Sequence, residues 1–252
     1  MKIDVQDLLQ SYPRQRPPLS PKHADLYAAE YAINRSGKGM LYRGVALLES
    51  WMHRQTAKSN GSTAILELGA GGLNHVKFEK NFTHYDVVES LPELCRQSPL
   101  VSKIRHVYEG YDALIPLING EPYDRIISIA VLEHLDNLPL TLATSALLLN
   151  ESGVFQAAIP TEGGLAWALA WRMTTGIAYR LRTGLSYAPL MKHEHINSEQ
   201  EIYSLLKFLY KDVRISRFPI PVKHLSLYTY FECKGVNREN CCHILTSNDQ
   251  PI

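Results

Sequence analysis

The stretch AILELGAGG, residues 64–72, leads from a short apolar run into a turn rich in glycine. A run of this kind, bounded by turn residues, is typical of a parallel strand covered on both faces. Glycine lets the backbone turn sharply and lets a ligand approach without a Cβ in the way. Gly69 and Gly71 form the turn, a helix is expected after it, and Glu89 ends the next apolar run. This spacing predicts a nucleotide site whose acid accepts hydrogen bonds from both ribose hydroxyls.

Further short apolar runs follow, rich in Val and Ile and separated by helical or turn segments. Strands that alternate with helical spacers predict a doubly wound α/β fold with a mostly parallel sheet. The last two runs are joined by a connection too short for a crossover helix, so we expect them to pair antiparallel. The predicted strands are 64–68, 85–89, 103–108, 125–130, 154–159, 213–218 and 226–233.

The chain before the glycine turn, residues 1–60, is predicted to be an arm and helices that pack on the core. Prolines in the first part of this segment forbid a continuous helix there. Helices are expected at 23–34 and at 41–56, where apolar residues recur at helical spacing. The basic residues of the arm, Arg14 and Arg16, are expected to be solvated.

The main domain is predicted to span 61–252, with a helical cap inserted at about 161–197. The cap follows the fifth strand, at the edge of the sheet where doubly wound folds bind ligands. It contains two of the three Trp and no acid between Gly163 and His193. Aromatic and basic residues together suit a sugar ring, a phosphate or a membrane interface, so peripheral membrane contact is one expectation. The alternative is a packed lid whose Arg stems lie along apolar surface.

The composition excludes several classes of protein. The 252 residues include 26 Lys plus Arg against 25 Asp plus Glu, and this near-neutral balance argues against nucleic-acid binding. The beginning of the sequence has no apolar core for a signal peptide, and no stretch reaches the ~20 apolar residues of a spanning helix. The four cysteines show no disulfide framework, which favours a cytoplasmic protein with reduced thiols. No set of residues has diagnostic metal-ligand spacing, so no metal site is expected.

The residues around the turn discriminate between cofactors. A dinucleotide fingerprint has a third glycine where this sequence has Asn74. Glu67 lies two residues before Gly69, and its carboxylate is unfavourable beside a pyrophosphate but favourable beside an ammonium group. S-adenosylmethionine carries an ammonium, a ribose and an adenine without phosphate. The sequence therefore favours S-adenosylmethionine over NAD.

Five segments in order resemble the class I S-adenosylmethionine-dependent methyltransferases. They are Glu67-x-Gly69-x-Gly71, Glu89, YDRIIS at 123–128, LEH at 132–134 and LLLNESGVF at 147–155. The resemblance covers about residues 60–160 and, more loosely, 195–235. It implies a seven-stranded, mostly parallel Rossmann-like sheet of order 3-2-1-4-5-7-6 with strand 7 antiparallel.

The resemblance also implies roles for individual residues. Gly69 and Gly71 would bracket the methionine end of the cofactor, and Glu67 would hold its ammonium group directly or through water. Glu89 would bind the ribose, and Asp112, after the third strand, would contact the adenine amino group. Leu73 at the position of the usual third glycine is a departure from the family's pattern.

A looser resemblance concerns the acceptor. The phrases WMHR at 51–54, PTEGG at 160–164 and EHIN at 194–197 are similar to methyltransferases associated with bacterial cell-surface polysaccharide synthesis. This likeness implies O-methylation of a sugar hydroxyl, on a glycan or on its nucleotide- or lipid-linked precursor. The residues expected to bind the acceptor are Trp167, Trp171, Arg172 and Arg180.

Methyl transfer to a hydroxyl needs a base near the nucleophile, and histidine titrates in the useful range. His134 follows the fourth strand and His195 ends the cap, so both are candidates. His134 could instead pack beneath the cap, and Glu133 is expected to be structural. Two other functions stay open: a non-catalytic S-adenosylmethionine-binding subunit, and a nicotinamide-dependent oxidoreductase on a similar sheet. Nothing in the sequence indicates an oligomeric state.

Overall fold

A computed structural model of the chain describes residues 3–27, 40–59 and 64–248. It contains one seven-stranded sheet of order β3-β2-β1-β4-β5-β7-β6. Strand β7 is antiparallel to both of its neighbours, and all other pairs are parallel. The predicted fold class, strand order and antiparallel final pair are therefore confirmed. The strands are β1 Ala64–Leu68, β2 His84–Glu89, β3 Val107–Glu109, β4 Tyr123–Ile129, β5 Leu149–Pro160, β6 Tyr210–Pro219 and β7 Ser226–Val236.

Helices and short turns connect and cover these strands. The helix at 41–56 is confirmed, and 21–27 is helical, whereas 28–34 of the other predicted helix lies outside the described residues. Ser198 and Glu201 form a capping box at the start of the helix Glu199–Leu209. The helices are α1 Val5–Gln10, α2 21–27, α3 Met40–Thr56, α4 Pro92–Arg96, α5 Leu138–Leu147, α6 Leu165–Trp171, α7 Ile177–Thr183, α8 Ala188–Glu194, α9 Glu199–Leu209 and α10 Arg238–Asn248.

Two expectations about local structure are wrong. The third strand is only three residues long, Val107–Glu109: Lys103 ends a 3₁₀ turn that begins at Val101, and residues 104–106 precede the strand. No α-helix follows the glycine turn, where a 3₁₀ turn at Val76–Phe78 is found. Leu73 has a positive φ of 64°, which interrupts the right-handed dihedrals a helix needs.

The two faces of the sheet are covered by different helices. Alternate residues of β1 point to opposite faces, so Leu66 joins a core with α5, α9 and α10, while Ile65 faces the side of α4. Met52 of α3 packs on Ala158 and Tyr228. Because β1, β2 and β4 are parallel and in register, they end at one edge, where the glycine turn, Glu89 and the loop after β4 meet.

A buried ion pair attaches α3 to the sheet. Arg125 of β4 donates two hydrogen bonds to Glu79, each 2.9 Å, and a third, of 3.2 Å, to the Thr56 carbonyl at the end of α3. Burial alone raises the pKa of Glu79, but hydrogen bonds from His75 and Arg125 outweigh it and lower the pKa to about 2. The carboxylate is therefore ionised and paired inside the protein.

The first residues of the chain are docked on the main domain, and the expectation that Arg14 and Arg16 are solvated is wrong. Arg14 binds Glu201 with an N–O distance of 2.6 Å and donates to the Ile196 carbonyl. Arg16 donates to the His134 carbonyl at 2.9 Å. Groups from the end of the cap, from α9 and from the loop after β4 thus anchor the arm.

The cap between β5 and α9 consists of α6, a π-helical turn at Arg172–Gly176, α7 and α8. The predicted helical insertion is therefore present. None of the helices in the described ranges combines the length and the apolar character needed to cross a bilayer.

Candidate active site

The glycine turn after β1 has a backbone that only glycine accommodates well. Gly69 has a φ of 68°, and a Cβ there would lie 2.3 Å from Cγ2 of Val131. Gly71 has a φ of 52°, and no atom lies within 4 Å of its Cβ position. The turn is therefore packed tightly on the loop after β4 on one side and is open on the other.

Glu89 holds this turn in place. Its carboxylate accepts hydrogen bonds from the backbone N–H of Gly71 at 2.7 Å and of Leu91 at 3.0 Å. Each carboxylate oxygen has two lone pairs, so both oxygens keep capacity for a ligand hydroxyl. The predicted ribose acid thus lies against the turn and also has a structural role that the sequence did not indicate.

Glu67 lies beneath the turn, on the face of the sheet that carries Tyr85. The Tyr85 hydroxyl donates a hydrogen bond of 2.8 Å to its carboxylate. Burial raises the pKa of Glu67 to about 7, although the nearby His75 and the Tyr85 hydrogen bond lower it. The carboxyl group is therefore poised to change its charge when a cation approaches.

Asp112 is exposed at the start of a 3₁₀ segment, Tyr111–Asn119, that follows β3. The hydroxyl of its neighbour Tyr111 lies 3.2 Å from the Cβ position of Gly69. The chain after β3 therefore reaches the same edge as the glycine turn.

The shape and the charges of the residues at this edge fit S-adenosylmethionine. The Cβ positions of Gly71 and Gly72 face open space, which leaves room for a ligand against the backbone. Glu67 and Glu89 are carboxylates near the turn, a chemistry that suits an ammonium group and ribose hydroxyls and repels a pyrophosphate. Their roles remain predictions.

A second cluster lies where the cap meets the loop after β4. The rings of His134 and His195 are 4.7 Å apart and nearly perpendicular. Nδ1 of His195 lies 2.5 Å from a carboxylate oxygen of Glu162, which follows β5. Trp167 donates its indole N–H to the same oxygen at 2.5 Å. The structure thus brings both predicted bases together and adds a carboxylate.

The charge of His195 depends on these neighbours. Burial lowers the pKa of His195. The contact with Glu162 and the nearby carboxylates of Glu133 and Glu194 raise the pKa by more than burial lowers it, so the net shift is upward. A carboxylate on Nδ1 orients the imidazole and leaves Nε2 for another partner.

Sequence reasoning missed Glu162 and gave Glu133 only a structural role. Glu133 is completely buried, and neither carboxylate oxygen accepts a hydrogen bond from a described residue. Burial is the main reason that its pKa is raised to about 7. The sequence could have predicted a site role for Glu162, because this residue follows a strand at the edge of the sheet where ligands bind. The burial of Glu133 has no sequence signal, since an acid beside a histidine is equally common on a surface.

Asn197 fastens the parts of this cluster to one another. It is buried and donates hydrogen bonds to the carbonyls of Leu132 at 2.9 Å and Leu135 at 2.8 Å. It also accepts one of 2.7 Å from the Tyr12 hydroxyl. The loop after β4, the end of the cap and the N-terminal arm therefore share one buried amide.

A cavity of about 200 Å³ opens beside His195. Trp167, Trp171 and Arg172 line it together with Lys192, whereas Arg180 is exposed on α7 and does not. Three of the four residues predicted to bind the acceptor thus lie together. No His, Cys, Asp and Glu side chains in the described ranges are grouped so that three could hold a metal ion.

Comparisons with solved structures identify the same fold in known enzymes. The plantazolicin methyltransferase BamL, solved with a desmethylplantazolicin analogue and S-adenosylhomocysteine, matches with a TM-score of 0.60 at 8% identity over 93% of this chain and 100% of that one. The N-methyltransferase NodS from Bradyrhizobium japonicum, with S-adenosylhomocysteine, has a TM-score of 0.52 at 11% identity over 92% and 99%. Magnesium protoporphyrin IX methyltransferase from Synechocystis, also with S-adenosylhomocysteine, has 0.51 at 12% over 85% and 96%.

No protein-family model matches the sequence, and no curated protein matches it. The solved structures show that the chain has the fold of S-adenosylmethionine-dependent methyltransferases, as the sequence resemblance implied. The three matched enzymes differ in their acceptors, so this likeness carries no information on the acceptor of this chain.

Proposed function

We propose that the protein transfers the methyl group of S-adenosylmethionine to an oxygen nucleophile. One observation carries the proposal: Val131 packs on Gly69, and three residues later the same loop carries His134. The histidine cluster is therefore held next to the glycine turn. A cofactor on the turn and an acceptor at the cluster would lie side by side.

S-adenosylmethionine supplies an electrophilic methyl group on a sulfonium, and the protein's task is alignment and exclusion of water. His195 is the better-supported base, because Glu162 orients its ring and stabilises the imidazolium that forms when a proton is taken. His134 is held by a hydrogen bond between its Nδ1 and the Glu194 carbonyl, 2.8 Å. It supports the ring of His195 edge-on.

The acceptor that suits the cavity is a sugar hydroxyl on a glycan or on a nucleotide- or lipid-linked precursor. The Trp167 and Trp171 rings offer apolar faces to a sugar, and Arg172 and Lys192 offer charge to a phosphate. The looser resemblance to enzymes of polysaccharide synthesis agrees with this class. The proposed location is the cytoplasm, in line with four free cysteines.

Two other functions have less support. A nicotinamide-dependent oxidoreductase would place a pyrophosphate near Glu67, whose carboxylate repels it, and would need a third glycine where this chain has Asn74. A non-catalytic cofactor-binding subunit has no need for a histidine paired with a partly buried carboxylate beside the cofactor turn.

The deciding experiment has two steps. Calorimetry with S-adenosylhomocysteine and with NAD should show binding of the first alone. Transfer of labelled methyl groups is then measured with nucleotide sugars, lipid-linked sugars and free glycans. His195→Ala serves as control, since it should bind S-adenosylhomocysteine like the wild type and transfer methyl groups about 10² to 10⁴-fold more slowly. Binding of NAD alone would overturn the proposal, and binding without transfer to any hydroxylated acceptor would favour the non-catalytic subunit.

A further inference from the structure

The outer face of the cap carries a continuous row of exposed aliphatic side chains. They recur at every fourth position through α6, the π-helical turn and α7. Their exposed fractions run from 51% to 84%, far above what large apolar side chains usually show. This outer row consists of Leu165, Leu169, Met173, Ile177 and Leu181.

The π-helical turn keeps the row on one side. In a regular α-helix four residues advance about 40° beyond a full turn, so a row at this spacing gradually winds around the axis. The turn at Arg172–Gly176 has i→i+5 hydrogen bonds and winds more slowly, which offsets part of that drift. The row is therefore straighter than an uninterrupted helix would make it.

The opposite face of these helices is already occupied. Tyr179 is completely buried and packs on the rings of His23 and Tyr187. Trp167 faces His195 and Tyr228. The outer row is thus what remains when the cap is packed, and no described residue covers it.

The charges beside the row are all of one sign. Arg172 and Arg180 each precede a residue of the row and Arg182 follows one, so arginines lie on both sides of it. All three are exposed, and the sequence has no acid from Gly163 to His193. An apolar helix face bordered by cations is the pattern of a helix that lies in a membrane interface.

We propose that the outer row docks on an anionic lipid bilayer, with α6 and α7 parallel to the surface. The aliphatic side chains would enter the boundary of the acyl chains, while the arginines would reach lipid phosphates. A second copy of the chain fits the outer row less well than a bilayer does. Two such helices packed face to face would bring arginines together without a carboxylate to pair them. This inference does not depend on the methyl-transfer proposal.

The first test is sedimentation of the full chain with vesicles. We expect binding to vesicles of phosphatidylcholine with phosphatidylglycerol, and much weaker binding to phosphatidylcholine alone. The triple variant Leu169→Gln, Met173→Gln, Leu181→Gln should lose at least tenfold in affinity. A matched control is Leu91→Gln with Ile115→Gln, which are equally apolar, exposed and outside the cap. Thermal unfolding shows that each variant is folded.

The second test separates charge from apolar contact. Arg172→Gln and Arg180→Gln should each lower affinity for anionic vesicles about fivefold and reduce its salt dependence. Arg214→Gln, an exposed arginine on β6, should change neither.

Two outcomes would overturn the proposal. One is a wild-type protein that stays in solution with anionic vesicles at millimolar lipid. The other is a wild-type dimer in analytical ultracentrifugation that the triple variant converts to a monomer, without vesicle binding by either. That result would assign the outer row to a second copy.

Discussion

Nδ1 of His195, at the end of the cap, lies 2.5 Å from a carboxylate oxygen of Glu162, two residues after the end of β5. The indole of Trp167 donates to the same oxygen, so the carboxylate is held from two sides. The contact gives the imidazole one orientation and raises its basicity. It also joins the cap to the edge of the sheet where the cofactor turn lies.

Replacing His195 with Ala should lower turnover by about 10² to 10⁴-fold, because proton removal from the acceptor is lost. The affinity for S-adenosylhomocysteine should be unchanged, since the glycine turn is not altered. The measurements are single-turnover methyl transfer and calorimetry. His224→Ala, on the connection between β6 and β7, is the matched control. An unchanged rate in the His195 variant would leave proton removal to another group.

The pH profile should depend on Glu162. The base must be neutral, so kcat/KM should fall as the pH drops through the raised pKa of His195. Glu162→Gln removes the carboxylate that raises this pKa, so the acid limb should move to lower pH while the plateau falls. Glu151→Gln, an exposed acid, should leave the profile unchanged. An acid limb that does not move in the Glu162 variant would contradict the pairing.

Cofactor affinity should rise with pH between 5 and 7. The pKa of Glu67 is raised to about 7, so the carboxyl group is protonated below this value. An ammonium partner favours the carboxylate, and binding then releases a proton, which gives up to about tenfold per pH unit. Calorimetry of S-adenosylhomocysteine should show this slope in the wild type and a flat profile in Glu67→Gln. The same pH dependence of affinity in the wild type and in Glu67→Gln would show that Glu67 does not bind the cofactor's ammonium group.

Glu89→Gln should weaken S-adenosylhomocysteine binding by about 1–3 kcal/mol, because ribose hydroxyls and the N–H of Gly71 lose a charged acceptor. The variant tests the ligand and the turn together, so unfolding is measured alongside calorimetry. Glu109→Gln is the control: it ends the neighbouring strand and is exposed. If the Glu89 variant and the wild type bound S-adenosylhomocysteine with equal affinity, Glu89 would not be the residue that binds the ribose.

Two alanine substitutions in the turn should have different effects. Gly69→Ala should destabilise the fold by about 1–3 kcal/mol, because its φ is positive and its Cβ would meet Val131. Val131→Ala in the same chain should restore part of this loss. Gly72→Ala has open space and should leave stability unchanged, while weakening S-adenosylhomocysteine if the ligand approaches the backbone there. Full affinity in Gly72→Ala would move the ligand away from the turn.

Glu79→Gln should destabilise the protein by about 3–5 kcal/mol, because it leaves the buried guanidinium of Arg125 without its anion. Glu93→Gln, in an exposed pair with Arg96, should change stability by less than about 1 kcal/mol. Denaturant unfolding compares the two. Arg125 also donates to the Gln156 side-chain oxygen at 3.0 Å, so a similar small effect for both variants would mean that Thr56 and Gln156 suffice to satisfy Arg125.

Local patterns determined much of this protein. The strands, the antiparallel final pair and the cofactor edge follow from AILELGAGG at 64–72 and from the runs after it, because strand period and glycine dihedrals are properties of short windows. The strand order followed only from the resemblance to class I methyltransferases. The same logic failed at Leu73, where one left-handed residue ended the expected helix. The start of the third strand was also misjudged, since Lys103 ends a 3₁₀ turn and the strand begins only at Val107.

Only the tertiary structure decided which distant groups meet. Glu162 and His195 are separated by the whole cap, and their contact depends on how its helices fold back. The raised pKa of Glu133 depends on burial, which neighbouring residues in sequence do not determine. The exposure of the outer row was also decided by the tertiary structure, since each of its residues is of a large apolar type that is usually buried in a core. Packing alone, through the burial of Tyr179 and Trp167 on the other side, left the row facing outward.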